Sequence, residues 1–153
     1  MGLHPLETVA VTDEVQRLLT GATVQKVYVP HYALVVLELR QARSPLWLLA
    51  DVTPKSQRLS VVLQKPNMQS AVPAQTLWRS VLKEAVLVGA SADAGTHGVV
   101  LTFDSPKGKW SLCLSLAAPA FGALVNAKER VVAVLSHSEA KAPLRAGDAW
   151  QPL

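Results

Sequence analysis

The sequence predicts an α+β fold, a mostly antiparallel β-sandwich or curved sheet with two helices. Three observations predict it. Val, Leu and other strand-favouring residues gather in short runs. Ten prolines and eight glycines punctuate those runs. The breaks between runs are short, and a parallel pair needs a long crossover, so neighbouring strands are expected to be antiparallel.

Residues 5–20 read as the first helix. Pro5 suits a first helical turn, and Val11, Val15, Leu18 and Ala22 fall on one helical stripe. Gly21 is a natural C-terminal cap. Strands follow at 23–29, 32–40, 46–51 and 58–64. In the second of these, Val35, Leu37 and Leu39 share one face, while Glu38 and Arg40 share the other. Residues 64–72 read as a loop, and Pro73 opens the second helix. Leu77, Val81 and Leu82 form its apolar side, and Arg79 and Lys83, four apart, share another face. The remaining strands are 85–89, 98–103, 110–116, 123–126 and 131–135. Ser105-Pro106-Lys107-Gly108 marks a turn. Residues 89–95 read as a flexible hairpin loop. Residues 1–135 form the α+β domain, and 136–153, with Pro143, Gly147 and Pro152, form an exit segment packed on the surface.

The chain has 153 residues, 50% hydrophobic and 17% charged, enough apolar material for one domain core. Only 5% is aromatic, so aliphatic residues must fill that core. A net charge of +4 favours an anionic partner such as RNA. The lone Cys113 sits in an apolar run and reads as buried packing; one cysteine also fits a reducing compartment. No membrane partner is expected, since no apolar stretch reaches the ~18 residues of a spanning helix. Glu7, Asp13 and Glu14 interrupt any signal-peptide core, so the expected localisation is cytoplasmic. His4, His31, His97 and His137 show no metal-ligand spacing, and His31 reads as a solvated turn residue. With no phosphate loop and no nucleophile elbow, the chain is expected to have no cofactor, no metal site and no enzyme activity.

Five segments, in order, resemble the N-terminal domain of the NFACT proteins, the RqcH and fibronectin-binding protein A-like family of ribosome-associated quality control. The first is residues 21–40, a helix-ending glycine, a strand, a break at Pro30-His31 and a second strand. Thr53-Pro54-Lys55-Ser56-Gln57-Arg58-Leu59 is similar to the family's strand-turn-strand segment, and Pro66-Asn67 to its proline-rich loop. Leu77-Trp78-Arg79-Ser80-Val81-Leu82 resembles Leu-Leu-Arg-Lys-His-Leu, with Arg79 kept and Lys and His replaced by Ser80 and Val81. Pro143-Leu144, Gly147 and Trp150 are similar to the family's exit. Glu7 stands fourteen residues before Gly21, where the family often has an acidic residue. Two motifs depart. The family's Asp-Arg pair is here His97-Gly98, and Glu-Leu-Met-Gly-Arg-His-Ser-Asn is here Ser115-Leu116-Ala117-Ala118-Pro119-Ala120-Phe121-Gly122. Their side chains do not supply the family's phosphate and base contacts. The same lobe is similar to the N-terminal domain of formamidopyrimidine-DNA glycosylases, whose nucleophile is an N-terminal proline; residue 2 here is Gly.

The resemblance implies a non-catalytic module in translation or ribosome-associated quality control. Its partners would be tRNA, ribosomal RNA or the large ribosomal subunit. The residues expected to touch RNA are Lys55, Arg58, Arg79 and Lys83, with Trp47, Trp78, Trp110 and Trp150 as candidate stacking surfaces. The alternative is a degenerate protein–protein adaptor that has lost RNA binding, with residues 117–123 as its apolar contact segment.

Overall fold

The computed structural model describes residues 5–41, 44–93, 97–117, 119–137 and 144–150. Helix α1 is Pro5–Leu19. Its buried stripe is Thr8, Thr12, Val15 and Leu19, with Val11 and Leu18 on the flanks. The spacing in sequence groups Val11 and Leu18 with Val15 and Ala22 on one stripe instead. Thr12 can be buried because its hydroxyl donates back to the Thr8 carbonyl at 2.7 Å. Gly21 ends the helix with φ +91°, a left-handed conformation that costs glycine little, and its N–H donates to the Leu87 carbonyl at 2.7 Å.

Among the described residues nine strands form one sheet, every neighbouring pair antiparallel, in the order β4-β3-β2-β1-β5-β6-β7-β8-β9. They are β1 Thr23–His31, β2 Leu34–Gln41, β3 Ser44–Asp51, β4 Arg58–Val62, β5 Val86–Asp93, β6 Gly98–Ser105, β7 Gly108–Ser115, β8 Phe121–Val125 and β9 Val131–Leu135. Helix α2, Gln75–Leu82, interrupts them between β4 and β5. The α+β class, the antiparallel pairing and the two helices are as the sequence predicts. Strand β5 is a correction: it runs on to Asp93, so most of residues 89–95 are strand rather than loop, and 94–96 lie outside the described residues. Pairing from Gly89↔Thr102 to Asp93↔Gly98 overrides the weak strand propensity of Gly, Ala and Ser.

The seam between β1 and β5 shapes the molecule. Their pairing is confined to Thr23↔Val86 and the bonds beside it, where Val24 donates to Ala85 and Leu87 donates to Ala22. Beyond that point the strands part and α2 fills the gap. The freed edge of β1 is satisfied without a strand: Val29 N–H donates to Gln75 Oε1 at 2.7 Å, Val72 N–H to the Val29 carbonyl at 3.0 Å, and Ser70 Oγ to the Pro30 carbonyl at 3.1 Å. Buried backbone groups need such partners, so this edge fixes the course of α2.

One core spans both halves of the sheet. Val35, Leu37 and Leu39 point into it as their spacing predicts, and Leu101, Phe103, Leu112 and Leu114 join from the other half, with Trp78 and Leu82 from α2. Two smaller clusters cover the outer faces. Val36, Trp47 and Leu49 pack with Tyr28 and Met68, and Cys113, Ala123, Val125 and Val131 lie beneath Leu144 and Trp150. The second cluster corrects the expected contact segment at 117–123. Phe121 and Ala123 are 4% and 0% exposed in β8, because strand pairing on both sides carries them into the interior.

Candidate nucleic-acid interface

Helix α2 packs on β1 with its polar side outward, and its register against β1 sets the positions of its cations. Gln75 meets Val29, Arg79 meets Val27, and the chain after Lys83 meets Val24, so α2 runs antiparallel to β1. Arg79 Nη2 donates to the Val27 carbonyl at 3.2 Å, one more acceptor of the freed β1 edge. A guanidinium has five N–H donors, so this bond anchors the group and leaves others to face solvent. Lys83 caps α2, its N–H donating to the Arg79 carbonyl at 3.0 Å, and its side chain is exposed.

The β6–β7 turn comes up beside these two residues. Ser105 Oγ donates to the Gly108 carbonyl at 2.9 Å and accepts the Lys107 N–H at 3.1 Å, which holds the turn closed. The result is a cleft of about 480 Å³ between α2 and the turn, lined by Arg79, Lys83 and Lys107, with Thr76, Ser80 and Ser105 between them and Glu84 as the one carboxylate; the Ser80 and Ser105 hydroxyls donate to the Leu77 and Gly108 carbonyls. Three cations around a small concavity, with the Thr76 hydroxyl beside them, are a chemically apt seat for phosphate oxygens. Sequence reasoning marks Lys107 only as part of a turn. Its signal is weak, a lysine at a hairpin tip, and only the pairing of β6 with β7 and the packing of α2 reveal its neighbours.

Lys55 and Arg58 do not line this cleft. Lys55, with φ +68°, sits in the turn that Ser56 N–H closes on Thr53. Arg58 pairs with Asp51, which pairs with Leu34, which pairs with His31. Three strand spacings, about 14 Å, therefore separate Arg58 from the His31 end of β1. The cleft lies toward the opposite end of β1, so these two residues form a separate basic spot. Glu7 is exposed on α1 and also lies outside the cleft. Its neighbour Thr8 has its Oγ1 3.3 Å from His97 Nδ1, so His97 faces α1. His31 is exposed and its Nδ1 accepts the Ala33 N–H at 3.2 Å, while His4 lies outside the described residues.

The tryptophans divide by burial. Trp47 and Trp78 are 8% and 1% exposed and present no face to a base. Trp110 packs on the main core and Trp150 on the Cys113 cluster. Burial pushes the Cys113 thiol up to about 12, the reverse of what a nucleophile needs. A smaller cavity of about 180 Å³ lies among Gly98, Val100, Cys113, Phe121 and Trp150. Its described lining contains no Lys or Arg. Among the described residues no three His, Cys, Asp or Glu side chains gather to hold a metal, and no helix is long and apolar enough to cross a membrane.

No protein-family model and no curated protein sequence matches the chain. Solved structures do match. The N-terminal domain of the fibronectin-binding protein PavA from Streptococcus pneumoniae aligns over 97% of this chain and 61% of its own, with a TM-score of 0.83 and 16% identity. The N-terminal part of the fibronectin/fibrinogen-binding protein FBPS from Streptococcus suis aligns over 94% and 58%, at 0.78 and 15% identity. The fibrinogen-binding protein from Staphylococcus aureus aligns over 98% and 56%, at 0.78 and 17% identity. The chain thus spans about three fifths of the length of these structures, and what it shares with them is the fold of the N-terminal domain of fibronectin-binding proteins.

Proposed function

We propose that this lobe is a non-catalytic RNA-binding module of NFACT N-terminal type, acting in translation or ribosome-associated quality control. Its ligand is tRNA or ribosomal RNA of the large subunit, and its compartment is the cytoplasm, where a lone reduced cysteine is at home. The observation that carries the reading is the convergence of Arg79, Lys83 and Lys107 on one hydroxyl-lined cleft. A phosphate there accepts charge-assisted hydrogen bonds from up to three cations, with the Thr76 hydroxyl as a further donor. Such contacts position a backbone and carry no sequence information. Recognition of tRNA would then rest on shape, because the segments that replace the family's motifs, His97-Gly98 and residues 115–122, contain no Arg, Lys or amide side chain.

Fluorescence anisotropy with total tRNA and a random RNA of equal length, at two salt concentrations, tests the proposal. Lys83→Glu with Lys107→Glu should weaken tRNA binding at least tenfold and lower the salt slope by roughly one for each phosphate left without its cation. Lys55→Glu with Arg58→Glu should act less, since they lie outside the cleft. Equal weakening by both pairs would point to a diffuse basic surface, and tRNA binding untouched by the first pair would remove the cleft from the mechanism.

A further inference from the structure

The cleft between α2 and the β6–β7 turn holds one residue that a phosphate seat alone does not explain. Arg79, Lys83 and Lys107 attract a phosphate, but Glu84 lines the same cleft and repels it. The backbone of Glu84 is unusual too. Lys83 ends α2 in an extended conformation, with φ −62° and ψ 131°. Glu84 then turns left-handed at φ +72°, and the Ala85 N–H closes the turn on the Leu82 carbonyl at 3.0 Å. Glycine or asparagine takes such a helix-ending position at less cost than glutamate does. The Glu84 N–H donates to the Val24 carbonyl at 2.8 Å, so its backbone is fixed against β1 and with it the point from which the side chain departs. Among the described residues, no ion pair ties its carboxylate to Arg79, Lys83 or Lys107. A conformationally costly residue thus brings an uncommitted negative charge to a site that otherwise favours anions.

A carboxylate only accepts hydrogen bonds, so the ligand must offer a donor close to its phosphate. Along the sugar-phosphate backbone of RNA that donor is the 2′-hydroxyl, which DNA lacks. A base edge is the other source of donors. Bases drawn out of their stack are held on aromatic rings or guanidinium planes. No aromatic residue lines the cleft, and the Arg79 guanidinium is tied to the Val27 carbonyl. The ribose therefore fits better than a base. At about 480 Å³ the cleft falls within the roughly 300–1,000 Å³ of small-molecule sites, which leaves room for a sugar beside the phosphate.

We propose that Glu84 is the residue by which this cleft distinguishes RNA from DNA. Its carboxylate accepts the 2′-hydroxyl of the ribose next to the phosphate that Arg79, Lys83 and Lys107 hold. For RNA the hydrogen bond offsets the repulsion between Glu84 and the phosphate; for DNA the repulsion stands alone. The proposal rests on the RNA-binding reading above and names the specificity residue of the same cleft.

The test uses one tRNA sequence made twice, with ribose and with 2′-fluoro sugar throughout. The fluorine keeps the RNA-like sugar pucker and removes the hydroxyl donor. Anisotropy is measured in EDTA, so that no divalent cation bridges Glu84 to the phosphate. The parent should prefer the ribose form by at least about fivefold. Glu84→Gly should erase that preference from both sides, weakening the ribose form and tightening the 2′-fluoro form. Glu84→Gln, which keeps a carbonyl acceptor, should retain part of it. Because glycine suits the left-handed backbone, Glu84→Gly should melt no lower than the parent. If it does not fold, Glu84→Asn decides in its place, since asparagine accepts the same backbone and its shorter side chain falls back from the cleft. Equal tightening of both forms in Glu84→Gly would make Glu84 a repulsive charge and nothing more, and would overturn the proposal. A parent that binds both forms equally would also overturn it while leaving the RNA-binding reading in place. A parent that binds neither form would remove both.

Discussion

Arg79 shows how one side chain can be tied to the fold and still be offered to a ligand. Its bond to the Val27 carbonyl closes part of the edge that β1 leaves open, while the residue remains exposed beside Lys83 and Lys107. Removing it would leave a partly buried carbonyl without its donor. Arg79→Gln should therefore cost about 1–3 kcal/mol in urea denaturation, whereas Lys83→Gln should stay within about 0.5 kcal/mol of the parent. Equal costs would mean that the Val27 bond contributes nothing measurable. Gly122 is constrained by space alone. A Cβ there would lie 2.9 Å from Leu114 Cδ2 and 3.3 Å from Leu135 Cβ, its register partners on both neighbouring strands. Leu114 can turn its end aside, but the Leu135 Cβ is fixed by the backbone. Gly122→Ala should lower stability by about 1–3 kcal/mol, as overpacking does in a full core.

At the scale of elements, the stretch 144–150 does more than leave the domain. Arg130 pairs with Ala149, and Leu144 and Trp150 lie over Cys113, Ala123 and Val125. Cys113 points away from the main core, so its burial depends on this cover rather than on the sheet. Trp150→Ala should raise the rate at which a thiol reagent such as DTNB modifies Cys113 by at least tenfold at pH 8, with little change in the circular dichroism of the strands. An unchanged rate would show that the sheet alone protects the thiol. Helix α2 has a comparable double role. Its buried Trp78, Val81 and Leu82 fill the gap where β1 and β5 part, and that placement brings its cations to the β6–β7 turn. Hydrophobic spacing predicts the buried side of α2, but nothing local predicts which turn its polar side will meet.

At the scale of the whole molecule, the thiol couples folding to pH. Burial raises the Cys113 pKa from 9.0 to about 12. The folded chain then holds this proton more tightly than the unfolded chain, so its contribution to stability is complete below pH 9 and is lost as pH rises toward 12. Between those values the parent should lose stability more steeply than Cys113→Ala in denaturant titrations; parallel slopes would show that the thiol titrates alike in both states. The sequence by itself determined the fold class, the strand alternation at Val35, Leu37 and Leu39, the helix cap at Gly21 and the burial of Cys113, because each follows from local periodicity or backbone freedom. It could not determine that β1 and β5 separate after Thr23↔Val86, that Phe121 and Ala123 are core rather than surface, or that Lys107 joins Arg79 and Lys83 while Lys55 and Arg58 stand apart. Those depend on which distant strands pair and where α2 wedges between them. Such contacts join residues far apart in sequence, and their free energy comes from burying surfaces that no short window of sequence contains.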